Sequence, residues 1–409
     1  MTHRKRVWII SELYYPELTS TGYFLTGIAE GLASKYDVSV LCGQPTYWVR
    51  GVRAPVRETR NGVDVLRCRA TTLDKDKLVF RIINLFTVSI SISVAALFRI
   101  QRGDIVITVT NPPLVPYLIA LVCRLKRARF VLLIHDVYPD VLTRLGILRP
   151  KSLLARMVDR ASRWLYNNAT CIIVLGRDMQ ELVCDKLNSH RDRVFIATNW
   201  GDIDAIVPRP ASENKLLDKL DLKQHFVVQY CGNIGRTHGI NNLANAVEAL
   251  ASDPEFHFLV IGWGAKKRWL MKQKQSRKME NLTILDPLPQ MELCDGLNAC
   301  NIAVITFSCG MAGISVPSRM YNVLASGKPL LAVCDDDSEL AAVVREEEIG
   351  WVVPPDRADL IVAALYEAKS NPGLLRSMGE RARKASETKY KSDYVLQIYE
   401  SIIESLRYE

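Results

Sequence analysis

Four short segments gather the residue types that hold anions, and each follows an apolar run. CGNIGRTHG, residues 231–239, places Gly232, Gly235 and Gly239 around Arg236 and His238, with Asn233 beside the first glycine. Glycine lets the backbone turn tightly, and the two basic side chains add cation character. An arginine at a helix start opposes the helix dipole, which makes sense beside a bound diphosphate. The spacing is not the dinucleotide G-x-G-x-x-G, and a plain glycine turn is the competing reading. SELYYPELTSTG, residues 11–22, ends with Thr21 and Gly22 opening a helix, where free N–H groups would meet an anion. The competing reading is an N-cap by Ser20 or Thr21. In GISVPSRMYNVLASGKP, residues 313–329, a loop with Pro317 leads into a short helix over 318–326. Ser318 fits its N-cap and Arg319 follows, forming a second anion cradle. IGWGAKKR, residues 261–268, has Gly262 and Gly264 but lacks a third glycine. Its Lys266, Lys267 and Arg268 read as a solvated helix start.

Other chemistry is discounted. Asp335, Asp336 and Asp337 precede a helical segment, so helix capping explains them better than a metal. The six histidines are scattered without zinc-ligand spacing. The ten cysteines contain no C-x-x-C pair and sit in apolar runs such as CIIVLG, as buried thiols of a reducing cytosol do. The N-terminus has Arg4, Lys5 and Arg6 but only the short apolar run VWII, which is not a signal peptide.

The elements that must position these segments alternate between strand and helix. Runs at 7–11, 38–43, 104–110, 129–136, 171–176 and 193–199 read as strands; most are apolar on both faces, as in a helix-covered parallel sheet. Residues 21–36 put Leu25, Ile28 and Leu32 on one helical face. Pro208 and Pro210 mark a break, and the alternation restarts at 226–233, 256–264, 281–286, 301–307, 328–334 and 350–355. With 409 residues, 48% of them hydrophobic and 24% charged, two globular domains are expected and disorder is excluded. The boundaries read as 1–204, a linker at 205–221 and 222–389. Residues 392–407 carry Val395, Ile398 and Ile402 at helical spacing.

The net charge is +9, and the whole positive excess falls before Ile203. That asymmetry points to an anionic partner of the first domain. Residues 82–98 are uncharged and flanked by Arg81 and Arg99, at the lower length limit of a membrane span. Asn84, Thr87, Ser89, Ser91 and Ser93 interrupt it. A buried helix and a helix lying on a membrane are the other readings. A second apolar stretch at 114–125 lies near Arg102, Arg124, Lys126, Arg127 and Arg129, and an apolar face with a basic rim suits an anionic leaflet.

These motifs together resemble the retaining family-four glycosyltransferases of the GT-B fold. Within that family the chain is similar to the bacterial cell-surface polysaccharide branch of colanic-acid and fucosamine-type transferases. The resemblance covers nearly the whole chain through SELYYPELTSTG, HDVYPD (135–140), ATNWGDID (197–204), CGNIGRTHG, IGWG and SVPSRMYNVLASGKP. It implies α/β architecture with two Rossmann-like, doubly wound parallel-sheet domains facing a cleft, and residues 390–409 crossing back to the first domain. It implies a nucleotide-sugar donor, a UDP-sugar by preference, held by Gly22, Gly232, Asn233, Leu288, Ser318, Arg319 and Asn322. Arg236 would face the diphosphate and His135 the reacting sugar; these two are the expected catalytic residues. Two departures stand out. The first carboxylate of the family's Glu pair is absent near Ile314, and the second position holds Asn322. His238 stands where the phosphate lysine is usual.

The implied reaction needs no metal or other cofactor, because cations and helix starts stabilise the leaving diphosphate. The expected acceptor is a polyprenyl-diphosphate-linked saccharide at the cytoplasmic face of the inner membrane, with the protein peripherally bound to anionic lipid. Competing functions are a nucleotide-sugar epimerase or hydrolase and a non-catalytic partner subunit. A nucleic-acid partner is not expected, since the basic half lacks a recognisable binding module.

Overall fold

The computed structural model describes residues 4–17, 19–46, 53–74, 77–187 and 191–406. Leu18 of the first loop and residues 407–409 of the C-terminal segment fall outside them. The chain forms two compact units, 1–140 with 148–198 and 395–409, and 141–147 with 199–394.

In the first unit the strands are β1 Arg6–Ile10, β2 Asp37–Cys42, β3 Arg57–Arg60, β4 Val63–Arg67, β5 Ile105–Val109, β6 Arg129–Leu133, β7 Cys171–Val174 and β8 Val194–Ile196. They form one sheet in the order β3-β4-β2-β1-β5-β6-β7-β8. Ile9 in β1 pairs with Val40 on one side and Ile107 on the other, and all three are buried. The chain thus reverses direction across the sheet at β1, and an open parallel sheet binds ligands at such a switch point, outside the strands' carboxyl ends. Among the described strands of this sheet, only β3 and β4 pair antiparallel. This hairpin was not expected, because β3 is wholly polar and β4 alternates polar and apolar residues instead of running apolar throughout. Its turn was legible: Asn61 and Gly62 both have positive φ, 46° and 79°, as a two-residue hairpin turn requires.

The second unit holds β9 Phe226–Cys231, β10 Phe256–Ile261, β11 Leu282–Leu285, β12 Ile302–Thr306, β13 Leu330–Val333 and β14 Gly350–Val353. Their order is β11-β10-β9-β12-β13-β14, all parallel, with the switch point at β9. Residues 205–221 are not a free linker. Asn214, fully buried, accepts from the N–H of Leu216 and Leu217 at 3.0 and 2.9 Å and donates to the Asp295 carbonyl at 2.8 Å. Arg209 pairs with Asp295. The prolines that suggested a break therefore lie in a strap built into the second unit.

The C-terminal helix Ser392–Ser405 packs with the first unit from Val395 onward. Lys35 bonds Glu400 at 2.5 Å, and Leu396 fills the space left by Gly31. The uncharged segment forms the helix Leu78–Arg99. Val88, Ile92 and Ala96 are buried, whereas Ile82, Phe86, Ile90, Val94 and Phe98 are exposed at steps of four. Its polar residues are satisfied locally: Asn84 bonds both backbone groups of Leu73, and Ser89 and Ser93 bond carbonyls one turn back. Among the described residues it is one helix long and apolar enough to cross a membrane, yet one face belongs to the core of the first unit.

Candidate active site

At the carboxyl edge of the first sheet, β1 leads through residues 11–19 into helix Ser20–Leu32. The N-cap is Thr19, not Ser20 or Thr21; its hydroxyl accepts the Gly22 N–H at 3.3 Å. A Cβ on Gly22 would lie 2.5 Å from the Glu17 carbonyl oxygen, so the loop closes only over glycine. Beyond β5, the Thr110 hydroxyl accepts the N–H groups of His135 and Asp136 at 3.1 and 3.4 Å. This fixes the backbone that leaves β6. The Thr21 hydroxyl lies 3.3 Å from His135 Nδ1. His135 Nε2 is buried and has no partner among the described residues. Burial lowers the His135 pKa to about 4 and raises that of Asp136 to about 6. At neutral pH His135 is an uncharged imidazole with one nitrogen available to a ligand.

At the carboxyl edge of the second sheet, β9 ends at Cys231 and the chain turns at Gly232. A Cβ on Gly262 would fall 1.9 Å from the Gly232 carbonyl oxygen, so the glycines of IGWG serve close backbone approach. The Tyr230 hydroxyl donates to the Asn233 carbonyl at 2.6 Å and ties down the turn. Arg319 reaches in from helix Arg319–Ala325, its guanidinium 4.5 Å from the centre of the Tyr230 ring. A Cβ on Gly232 would touch Arg319 Cδ and Nη1 at 3.4 and 3.5 Å. Both terminal nitrogens of Arg319 are buried without a hydrogen-bond partner among the described residues, and no carboxylate pairs with them. An unpaired buried cation costs several kcal/mol, and a site that awaits an anion accounts for that cost.

His238 does not share this charge. Its ring stacks on Phe307 at 5.6 Å, and burial, with Arg319 nearby, holds its pKa well below the usual value. The expected cation character at His238 is therefore absent near neutrality. Arg236 is not at a helix start either, since the helix begins at Ile240 after Gly239. Arg236 is exposed and lines a recess of about 310 Å³ with Arg144, Lys266, Thr237 and Ser308, to which Arg319 does not contribute.

Ser318 holds the N-cap position in helical conformation, without a side-chain cap bond, and Asn322 is half-buried one turn further on. Leu288 packs over Gly296, where a Cβ would come within 2.5 Å of it. Ile314 is buried, so no carboxylate replaces the missing one there. The aspartate run also departs from expectation. Ser338 caps helix Glu339–Glu346, while the Asp335 carboxylate accepts N–H groups from Gly310, Met311 and Ala312 at 2.8, 2.7 and 3.0 Å. Asp335 thus holds the loop after β12 in place. Among the described residues no group of three or more His, Cys, Asp or Glu could hold a metal ion.

Of the expected residues, Gly232, Asn233 and Arg319 converge, with Asn322 on the same helix as Arg319. Arg236 and Leu288 lie elsewhere in the second unit, and Gly22 and His135 belong to the first. Sequence reading missed Tyr230, Thr110 and Arg144, none of which forms a motif, although Thr110 follows a strand end; Asp335 it read as a helix cap instead of a loop anchor.

Each unit is a doubly wound, predominantly parallel sheet with polar residues gathered at its switch point. Residues 21–200 match the glycosyl transferase 4-like domain, and 213–385 match glycosyl transferases group 1. The chain is 31% identical to the probable glycosyltransferase WbjE of Pseudomonas aeruginosa over 86% of both chains. It is 25% identical to the putative colanic acid biosynthesis glycosyl transferase WcaI of Escherichia coli K12, covering 87% of this chain and 90% of that one. The structure of Anabaena HepE in complex with UDP and glucose superposes with a TM-score of 0.74 at 14% identity, over 98% of this chain and all of that one. The chain belongs to the family-four glycosyltransferases of the GT-B fold.

Proposed function

We propose that this glycosyltransferase moves a sugar, with retention of configuration, from a UDP-sugar to a polyprenyl-diphosphate-linked saccharide in cell-surface polysaccharide assembly. The observation that carries the donor half is Arg319, a cation buried over Tyr230 with both ends of its fork unpaired. A diphosphate gains charge as the glycosidic bond breaks, and a pre-placed guanidinium stabilises that charge without reorganisation. In this reading Gly232 and Asn233 approach the donor through their backbone. Asn322 offers an amide for a ribose hydroxyl, and Leu288 frames the base. His135, neutral, offers a hydrogen bond to the sugar. The colanic acid named for WcaI supports the polysaccharide assignment, and the UDP bound by HepE supports the base.

The acceptor half rests on the outward stripe of helix Leu78–Arg99, flanked in sequence by Arg81, Arg99 and Arg102, with exposed Leu121 and Leu125 on the neighbouring helix Val115–Lys126. We assign this face to the cytoplasmic surface of an anionic inner membrane, where each nearby cation contributes ~1 kcal/mol.

The test is incubation of the purified protein with labelled UDP-sugars and lipid-linked saccharides, with and without EDTA. Transfer that needs the acceptor, survives EDTA and keeps the anomeric configuration is expected. Donor turnover without acceptor would instead make the protein an epimerase or hydrolase. Co-flotation with anionic vesicles, lost in the Phe86→Ser, Ile90→Ser double variant, is expected; equal flotation of both proteins would remove the membrane assignment.

A further inference from the structure

We propose that Arg144 binds a phosphoryl group, together with Arg236 and Lys266, in the recess that the three cations line. This rests on the donor-site reading and adds a residue from a part of the sequence with no motif for it. Residues 141–147 lie between two stretches that build the first unit, yet they pack as part of the second. They bring Arg144 and Leu145 to the wall of the 310 Å³ recess, opposite the loops that follow β9, β10 and β12.

The guanidinium of Arg144 lies against the loop that follows β12. At Gly310 a Cβ would come within 2.5 Å of Arg144 Cζ and 2.6 and 2.9 Å of its two Nη atoms. Gly310 also has a φ of 74°, a conformation that favours glycine. The Arg144 guanidinium thus occupies the space that a side chain at position 310 would take. Asp335 fixes the same loop by taking three consecutive N–H groups, so its charge is spent on the backbone.

No carboxylate lines the recess, and its other polar side chains, Thr237 and Ser308, carry hydroxyl donors. Lys266 bonds the neutral amide of Asn241 at 3.0 Å and lies 5.4 Å from the centre of the Trp269 ring, so neither partner carries a negative charge. Three cations around a concave wall focus a positive potential that attracts anions, and a forked guanidinium matches phosphoryl oxygens. The phosphoryl group could come from the nucleotide donor or from the diphosphate of the acceptor.

The experiment measures UDP, UMP and inorganic pyrophosphate binding, and acceptor KM, for the full-length protein and for Arg144→Ala, Arg144→Lys and Arg319→Ala. Arg144 is exposed, so its variants should melt as the parent does. A loss of about tenfold in UDP affinity in Arg144→Ala, with UMP unchanged and partial rescue by lysine, supports the proposal with the donor as source. Unchanged UDP binding with weakened pyrophosphate binding and an acceptor KM raised about tenfold supports it with the acceptor as source. Unchanged UDP, pyrophosphate and acceptor constants in Arg144→Ala overturn it. If Arg319→Ala still loses UDP in that case, the donor-site reading stands and only the role of Arg144 fails. If Arg319→Ala also binds UDP normally, the donor site itself is misplaced.

Discussion

At the edge of the first sheet, His135 is held between two threonine hydroxyls and is neutral above a pH of about 4. At the edge of the second sheet, Arg319 lies over the Tyr230 ring with no hydrogen-bond partner for its terminal nitrogens among the described residues, and the nearby His238 is neutral at pH 7. Both sites stand beside the switch strand of a doubly wound sheet, β1 or β9, so topology does not distinguish them. The difference lies in side chains. One edge offers hydroxyls and an imidazole, which suit sugar hydroxyls. The other offers a permanent cation, which suits phosphate. It follows that binding losses and stability gains should fall on the cationic side, and turnover losses on the neutral side.

The largest effect is expected at Arg319. Arg319→Met keeps packing on Tyr230 but removes the charge. Nucleoside-diphosphate affinity should fall roughly 100-fold, equivalent to ~3 kcal/mol. The ligand-free protein should melt at the same temperature or higher, because an unpaired buried cation is removed. Calorimetric binding and thermal melts decide this; a destabilised variant with unchanged affinity would make Arg319 structural.

Next comes Asp335. Asp335→Ala leaves three backbone N–H groups without their acceptor and should cost about 2–3 kcal/mol, while Asp335→Asn should cost less. Hydrogen exchange at Gly310, Met311 and Ala312 should speed up before the rest of the second unit. Unchanged exchange there would mean that the loop does not depend on Asp335.

The smallest effect concerns His135. Its folded pKa, about 4, lies below the ordinary 6.5, so the unfolded chain binds the proton more readily between those values. The stability tied to the neutral ring is complete above pH 6.5 and is lost as pH falls toward 4. Asp136 acts oppositely, because its folded pKa of about 6 favours the fold at lower pH. The His135 share is therefore the difference between the parent and His135→Gln across this window, with the parent losing more stability on acidification. NMR of the ring should show it neutral at pH 5, and His135→Ala should lower turnover more than nucleotide affinity. A ring titrating near 6.5 would contradict the burial.

Much of the scaffold was legible from residues alone. Strands apolar on both faces, such as β5 with all five residues buried, announced parallel sheets. The hairpin β3–β4 was not, since the wholly polar β3 resembles a solvent-facing loop until the Asn61–Gly62 turn is given weight. In the second unit, Gly232 and Arg319 stood out as glycine turn and cradle. Their contact, and the neutrality of His238, depend on residues far apart in sequence.

The sequence by itself determined the family, the two doubly wound units and the strands that end at each switch point, because hydrophobic period and glycine placement are local properties. Tertiary structure alone decided which charges remain unpaired. Arg319 lies over Tyr230, Asp335 turns to a loop instead of a helix start, and Arg144 joins the unit that its neighbours in sequence do not build. Burial and charge balance are set by what packs around a side chain, and here those neighbours lie as much as 166 residues away.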